Sequence, residues 1–113
     1  MKLRYSEMEN GIRLLKLSGA LDLAGTRSIE VEFVRRCAGE NARVLVDLSK
    51  VNYISSIGIP LLINTAKSLS LRNGRMVLLN PQRNVADVLE MTGIPLIIPT
   101  FNDSAAAVSA LTK

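Results

Sequence analysis

The sequence predicts an α/β domain, in which a mixed β-sheet has about four α-helices packed against it. Three observations predict this class. Strand-like and helix-like segments alternate along the chain, which is typical of a sheet crossed by helices. The run Val44–Val46 is continuously apolar, as expected for a central strand covered on both faces. The length of 113 residues, 48% of them hydrophobic, predicts one domain over residues 1–113 with a real core.

The chain begins with two predicted strands. Lys2–Met8 alternates loosely between polar and apolar residues, and Asn10-Gly11 is the signal of a tight hairpin turn. Ile12–Leu17 is the second strand, and we expect Ser18-Gly19 to end it. A short extended link, Ala20–Leu23, then leads into the first helix.

The first helix is predicted over Ala24–Cys37, because Ile29, Phe33 and Cys37 recur every four residues. Gly39 is a suitable terminator. Cys37 is expected to be a small side chain in the core or at its boundary.

The middle of the chain predicts a strand, a loop and a second helix. The strand Val44–Val46 is expected to end at Asp47, which we interpret as structural, before a polar turn. A helical spacing of apolar residues follows Ser56 and extends to Leu71. Pro60 lacks an N–H and fits only the first turn of a helix, so the helix should begin close to Ser56.

Four further elements complete the predicted fold: a strand, a helix, a short strand and a closing helix. Their ranges are Arg75–Leu79, Asn84–Thr92 and Pro95–Ile98, and the closing helix is capped by Asp103 or Asn102. Right-handed crossovers would bring the strand–helix loops to one edge of the sheet, and Asp22 to the neighbourhood of Ser56.

The composition excludes several kinds of site. Because the chain has no histidine, it has no Ser-His-Asp triad, no Cys-His pair and no histidine metal site. The glycine-rich phosphate-binding motifs are absent as well. We therefore expect a protein that is not an enzyme and needs no metal or cofactor. A single cysteine, no signal-peptide core and no apolar run near 18 residues predict a soluble, cytoplasmic protein.

The net charge of +4 raises the possibility of a nucleic-acid partner. The basic residues are dispersed along the chain, however, and only Arg35-Arg36 are adjacent. No aromatic residues alternate with them for base stacking. A solvated surface is the better interpretation, so we expect no nucleic-acid or membrane partner, and a monomer or weak dimer.

The pair Ser55-Ser56 is the best candidate for a functional site. Its hydroxyls stand where a helix presents free N–H groups, so either serine could cap that helix. A phosphate at the same place would be stabilised. From the spacing alone, a helix cap is the better interpretation, and the two roles are compatible because one serine can cap while the other is modified.

Three segments resemble a known family: Gly19-Ala20-Leu21-Asp22, then Val46-Asp47-Leu48-Ser49, then Tyr53–Ile59. Together they are similar to the STAS domain, specifically the anti-sigma factor antagonists, and the resemblance covers essentially the whole chain. In the family's Asp-Ser-Ser/Thr-Gly motif, Ser55 takes the aspartate position and Ser56 the phosphorylated position. Ile57 takes the second hydroxyl position and Gly58 the glycine.

The resemblance implies a partner-switching protein. Its unphosphorylated form would bind an anti-sigma factor that is also a serine kinase of the GHKL type. Phosphorylation of Ser56 would end that binding, and a PP2C-type phosphatase would restore it. The partner-binding residues would be Asp22, Ser55, Ser56, Ile57 and Gly58, and we expect the exposed residues Asn64 and Lys67 of the second helix to extend this surface. Asp22 could equally be an ordinary capping residue, and Gly58 is expected to provide close packing and leave the partner unobstructed.

One alternative within the same family remains open. A STAS domain can be a scaffold or accessory subunit that is not phosphorylated, as in a stressosome-like or lipid-transport assembly. Phosphate on Ser56, dependent on Mg-ATP and a kinase, would distinguish the two functions.

Overall fold

The computed structural model describes residues 1–112, which form five strands, four α-helices and one 3-10 turn. This confirms the predicted fold class. The elements in chain order are β1 Lys2–Glu7, β2 Arg13–Leu21, α1 Leu23–Arg36, β3 Arg43–Ile54, α2 Gly58–Leu71, β4 Arg75–Leu79, α3 Arg83–Met91, the 3-10 turn Ile94–Leu96, β5 Thr100–Phe101 and α4 Ser104–Thr112.

The strands lie side by side in chain order, from β1 to β5. β1 pairs antiparallel with β2 through the predicted hairpin, where Gly11 adopts a φ of 80° that a residue with a side chain rarely takes. The pairs from β2 to β5 are all parallel. The carboxyl ends of β2, β3 and β4 therefore meet at one edge, as expected.

Helices cover both faces of the sheet. Helices α1, α2 and α3 contribute to the larger of two buried clusters, together with residues such as Phe33, Leu62 and Leu89. Helix α4 packs on the opposite face, where Ala107 and Leu111 meet the smaller cluster. Strand β3 thus has apolar side chains on both faces, which explains its unbroken apolar run.

Two strands are longer than the sequence predicted. β2 does not end at Ser18-Gly19 but runs to Leu21, and its pairing with β3 shifts after Lys16 and again after Gly19. Such irregularities let a strand continue through a glycine. The predicted extended link is therefore partly strand.

β3 likewise does not end at Asp47 but continues to Ile54. Its polar residues there, such as Ser49, Lys50 and Asn52, are exposed, while Leu48, Val51 and Ile54 stay buried. Asp47 is consequently a mid-strand residue, and one of its carboxylate oxygens accepts a hydrogen bond of 2.9 Å from the Ser49 N–H.

The predicted strand Pro95–Ile98 is wrong. Ile94–Leu96 forms a 3-10 turn, and the fifth strand is Thr100–Phe101. Ile94 and Ile98 are buried four residues apart, whereas Leu96 and Ile97 between them are exposed. That burial has a helical period, and Pro95 at the start of the turn removes a donor that a strand ladder would use.

The helix boundaries agree closely with the sequence prediction. Helix α4 is capped by Asp103, whose carboxylate accepts a 3.1 Å hydrogen bond from the N–H of Ala106. None of the helices in the described residues is both long and apolar enough to span a membrane.

The thiol of Cys37 is buried, which confirms the predicted core or boundary position. Burial raises the pKa of this thiol from 9.0 to about 12, and the positive charge of Arg13 offsets only part of the increase. At pH 8 the reactive thiolate is then about one part in ten thousand of the folded protein.

We therefore expect a thiol-reactive dye to modify the folded protein far more slowly than the urea-unfolded protein at pH 8. The same shift should reduce stability at high pH. Below pH 9 the thiol is protonated in both the folded and the unfolded protein, so its burial does not lower the free energy of unfolding. Above pH 9 the thiol ionises first in the unfolded protein, so the free energy of unfolding falls as the pH approaches 12. Equal dye reaction rates in folded and unfolded protein would contradict the burial of Cys37.

Candidate functional site

The predicted site residues meet at the carboxyl edge of the sheet, where β2 and β3 end side by side. Asp22 follows β2, and Ser55-Ser56 follow β3. The two strand ends are joined directly, because the N–H of Ser55 donates a 3.1 Å hydrogen bond to the carbonyl oxygen of Leu21. The expected proximity of Asp22 and the serine pair is therefore observed.

Ser55 is half-buried, and its hydroxyl is fully engaged within the domain. Its Oγ donates to the Leu21 carbonyl at 3.2 Å and accepts from the N–H of Ile57, also at 3.2 Å. Its carbonyl oxygen accepts a 3.0 Å bond from the Gly58 N–H, which closes a turn. Ser55 thus ties the loop to β2 and shapes the turn before α2.

Ser56 has the opposite character. It is exposed at the outside of the turn that Ser55 and Gly58 close. Within residues 1–112, its hydroxyl takes part in no hydrogen bond with another protein group. Of the two adjacent serines, Ser56 alone offers an unengaged hydroxyl to solvent.

The start of helix α2 differs from a simple serine cap. The N-cap residue is Ile57, and no side chain caps the helix. The expectation that Ser55 or Ser56 would be the N-cap is therefore wrong. The Ser55 hydroxyl accepts a hydrogen bond from the N–H of Ile57, which precedes the first residue of the helix. Pro60 lies in the first helical turn, as predicted. That turn contains no acidic residue, so the positive end of the helix dipole beside Ser56 is not neutralised.

Asp22 is the N-cap of helix α1. Its Oδ1 accepts a 2.7 Å hydrogen bond from the N–H of Gly25, and its carbonyl oxygen accepts from the N–H of Thr26 at 2.9 Å. The capping role that the sequence allowed is thus realised. The side chain is only half-buried, so it remains accessible at the edge that carries Ser56.

Substitutions at Asp22 should separate its cap from its charge. Asp22→Ala is expected to lower the free energy of unfolding by about 1 kcal/mol, because it removes the cap. Asp22→Asn keeps a capping oxygen and should change stability by only a few tenths of a kcal/mol. Urea unfolding measures both effects. An Asn variant as unstable as the Ala variant would show that the charge, and not the hydrogen bond, stabilises α1.

Two glycines allow the close packing of this edge. A side chain at Gly58 would meet the Leu21 carbonyl oxygen at 3.1 Å and the Ile54 side chain at 3.3 Å. Gly58 is buried, so the room it leaves is filled by the domain itself and not kept open for a partner. A Cβ at Gly25 would overlap the carbonyl oxygen of Ala20. Gly25 was not predicted from the sequence, although a glycine three residues after a capping aspartate is a usable signal.

An apolar rim borders Ser56. Ile57 is 47% exposed, and Leu23 at the start of α1 is 49% exposed. Both line a groove of about 520 Å³ between α1 and α2. Asn64 also lines this groove, whereas Lys67 is exposed on α2 outside it. The serine edge and the groove form one continuous surface with polar and apolar parts.

Comparison with known proteins agrees with this architecture. The family model described as the STAS domain matches residues 6–107. The Bordetella bronchiseptica protein BtrV, named a putative anti-sigma factor antagonist, is 31% identical over 110 residues, which are 97% of this chain and 94% of that protein.

Solved structures show the same fold. An anti-sigma factor antagonist from Mycobacterium paratuberculosis superposes with a TM-score of 0.88 at 19% identity, covering 99% of this chain and 94% of that one. The Bacillus cell fate determinant SpoIIAA in its phosphorylated form gives a TM-score of 0.68 at 17% identity, covering 97% and 99%.

Proposed function

The chain belongs to the STAS domain family, and on that premise we propose that it is an anti-sigma factor antagonist switched by phosphorylation of Ser56. In this proposal the unphosphorylated form binds an anti-sigma factor that is also a GHKL-type serine kinase. Phosphorylation of Ser56 ends that binding, and a PP2C-type phosphatase restores it.

The observation that supports this proposal best is that the hydroxyls of the two serines differ in hydrogen bonding. Ser55 is held by the Leu21 carbonyl and the Ile57 N–H, while the hydroxyl of Ser56 is exposed and unengaged. A kinase needs an accessible hydroxyl, and Ser56 presents one on a turn that the bonds of Ser55 hold in place. Ser55 would have to break its bonds within the domain before it could react.

The transfer itself needs little from this chain. Oγ of Ser56 attacks the γ-phosphorus of ATP held by the kinase, the bond to the bridging oxygen breaks, and ADP leaves. The hydroxyl proton passes to a base on the kinase. The phosphatase later hydrolyses the phosphate ester with water, which returns the free hydroxyl and inorganic phosphate.

The phosphorylated form should remain folded. A phosphate adds roughly −1.5 to −2 charges, and here it stands at the positive end of α2, in a helix whose first turn holds no acid. The effect then falls on binding. A partner that covers Ile57 and Leu23 must remove water from this edge, and desolvating a dianion there is costly.

The proposed partner-binding residues fall into three kinds on this surface. Ser56 and Ile57 form the exposed centre, Asp22 supplies a negative charge beside it, and Asn64 and Lys67 extend the surface along α2. Ser55 and Gly58 act indirectly, because they fix the turn that presents Ser56.

Mass spectrometry of the protein purified from its own host tests the proposal, alongside Ser55→Ala and Ser56→Ala variants. We expect one phosphate on the wild type, none on Ser56→Ala and a retained phosphate on Ser55→Ala. Phosphate that survives in Ser56→Ala but is lost in Ser55→Ala would contradict the assignment. A partner complex with no phosphate on either serine, even with Mg-ATP, would favour the unphosphorylated scaffold instead.

A further inference from the structure

Part of the sheet has no helix over it. Helix α4 covers the smaller cluster, formed by residues such as Leu45, Val77 and Leu79 on β3 and β4. On the same face, β1, β2 and the second half of β3 present exposed basic side chains. We call these four residues the basic face: Lys2, Arg4, Lys16 and Lys50.

The basic face concentrates the charge of the protein. Its four cations surround one carboxylate, that of Asp47, so the local net charge is 4 − 1 = +3. The whole chain carries +4. Four of the fourteen basic residues, three of which are well separated in the sequence from the fourth, Lys50, are therefore brought together by the fold on one surface.

The arrangement is not explained by the stability of the sheet. The register places Arg4 directly opposite Lys16 on β2, and like charges in that relation are destabilising. In the part of the chain that the structure describes, none of the four cations lies within 4.0 Å of a carboxylate. The ion pair found there joins Arg36 and Glu32, away from the basic face. An anion from outside the chain would relieve this repulsion.

The shape and lining indicate the kind of anion. The four cations border a concavity of about 290 Å³, together with Ser18 and Ser49. Its one apolar lining residue, Leu17, is buried, so nothing there could insert into a membrane. No aromatic side chain lines it for base stacking. We propose that the basic face binds an acidic polypeptide segment of a protein partner.

The position of this surface makes the proposal independent of the serine switch. Helices α1 and α2, which frame the surface around Ser56, pack on the other side of the sheet. A partner on the basic face would leave that surface uncovered.

Binding of a fluorescent glutamate-rich peptide to the intact protein tests the inference. We expect binding that weakens steeply between about 0.01 and 1 M salt, as the screening length falls from roughly 30 to 3 Å. The double variant Arg4→Glu, Lys50→Glu should bind about tenfold more weakly, because two attractions become repulsions. Its melting temperature should be no lower than that of the wild type, since the reversal at Arg4 places a carboxylate opposite Lys16.

The matched control is Arg35→Glu, Arg83→Glu, which makes the same change in net charge at exposed positions of α1 and α3. We expect this variant to bind nearly as the wild type does. An equal loss in both double variants, or no peptide binding at low salt, would overturn the proposal. So would tighter binding to single-stranded DNA or to phosphatidylcholine vesicles containing phosphatidylserine than to the peptide.

Discussion

Ser56→Glu is expected to bind the anti-sigma factor kinase at least roughly 100-fold more weakly than the wild type, a loss of about 3 kcal/mol. The reason is local. The carboxylate would stand beside Ile57 and Leu23, at a surface that a partner must desolvate, and removing water from a charge is costly. Titration calorimetry with the purified kinase measures the change. The enzymatically phosphorylated protein should show the same or a larger loss.

Ser104→Glu is the matched control for this prediction. Ser104 is also an exposed serine at a helix start, but it begins α4 on the opposite face of the sheet. Both variants should unfold within about 0.5 kcal/mol of the wild type, because an acid at a helix N-terminus is not destabilising. Binding that survives in Ser56→Glu, or is lost equally in Ser104→Glu, would contradict direct interference. An unfolded Ser56→Glu protein would contradict the stability of the phosphorylated form.

Gly25→Ala is expected to destabilise the domain by about 3 kcal/mol. Its added methyl group would overlap the carbonyl oxygen of Ala20, so helix α1 must move away from the end of β2. The intrinsic preference for alanine in a helix, about 1 kcal/mol, offsets only part of this cost. The same movement pulls the Asp22 cap from the Gly25 N–H. Urea unfolding monitored by circular dichroism measures the loss.

Gly11→Ala separates this packing effect from the loss of a glycine. Nothing lies within 4 Å of the position that a Cβ would take at Gly11, but its φ of 80° disfavours a side chain. We expect a cost of about 1 kcal/mol there. A Gly25→Ala protein no less stable than Gly11→Ala would show that α1 accommodates the methyl group.

The alternation of elements could be predicted because each helix has a regular apolar spacing, but strand lengths could not. β3 was expected to stop at Asp47 because polar residues follow it in the sequence. Those residues belong to the part of the sheet that α4 leaves bare, and only the packing of α4 shows which part that is. The basic face could not be predicted either, because Arg4 and Lys50 are far apart in the chain and only the folded sheet brings them together.

The segment around Pro95 failed for a different reason. Its branched apolar residues favour a strand, yet the burial of Ile94 and Ile98 requires a tight helical turn. The burial of these two side chains in the core therefore determines the local structure, in spite of the strand preference of the residues.

The candidate site was predictable in its location and not in its internal bonding. The resemblance assigned Ser56, and the order of strands placed Asp22 nearby. That Ser55 would bond to the Leu21 carbonyl depends on the exact approach of two strand ends, which no pattern in the sequence specifies. The same close approach is why Gly25 is needed.

The bonds of Ser55 have a consequence for the speed of recognition. A loop that is ordered before the encounter loses little conformational entropy when it is captured, so less of the contact energy is spent on ordering it. The turn from Ser55 to Gly58 is closed by the bond from the Gly58 N–H to the Ser55 carbonyl oxygen. Three more hydrogen bonds of Ser55, two to the Leu21 carbonyl and one from the Ile57 N–H, hold it in place. The rate of association with the kinase should therefore be limited by diffusion and orientation. Differences in affinity between competing partners should then lie mainly in their dissociation rates.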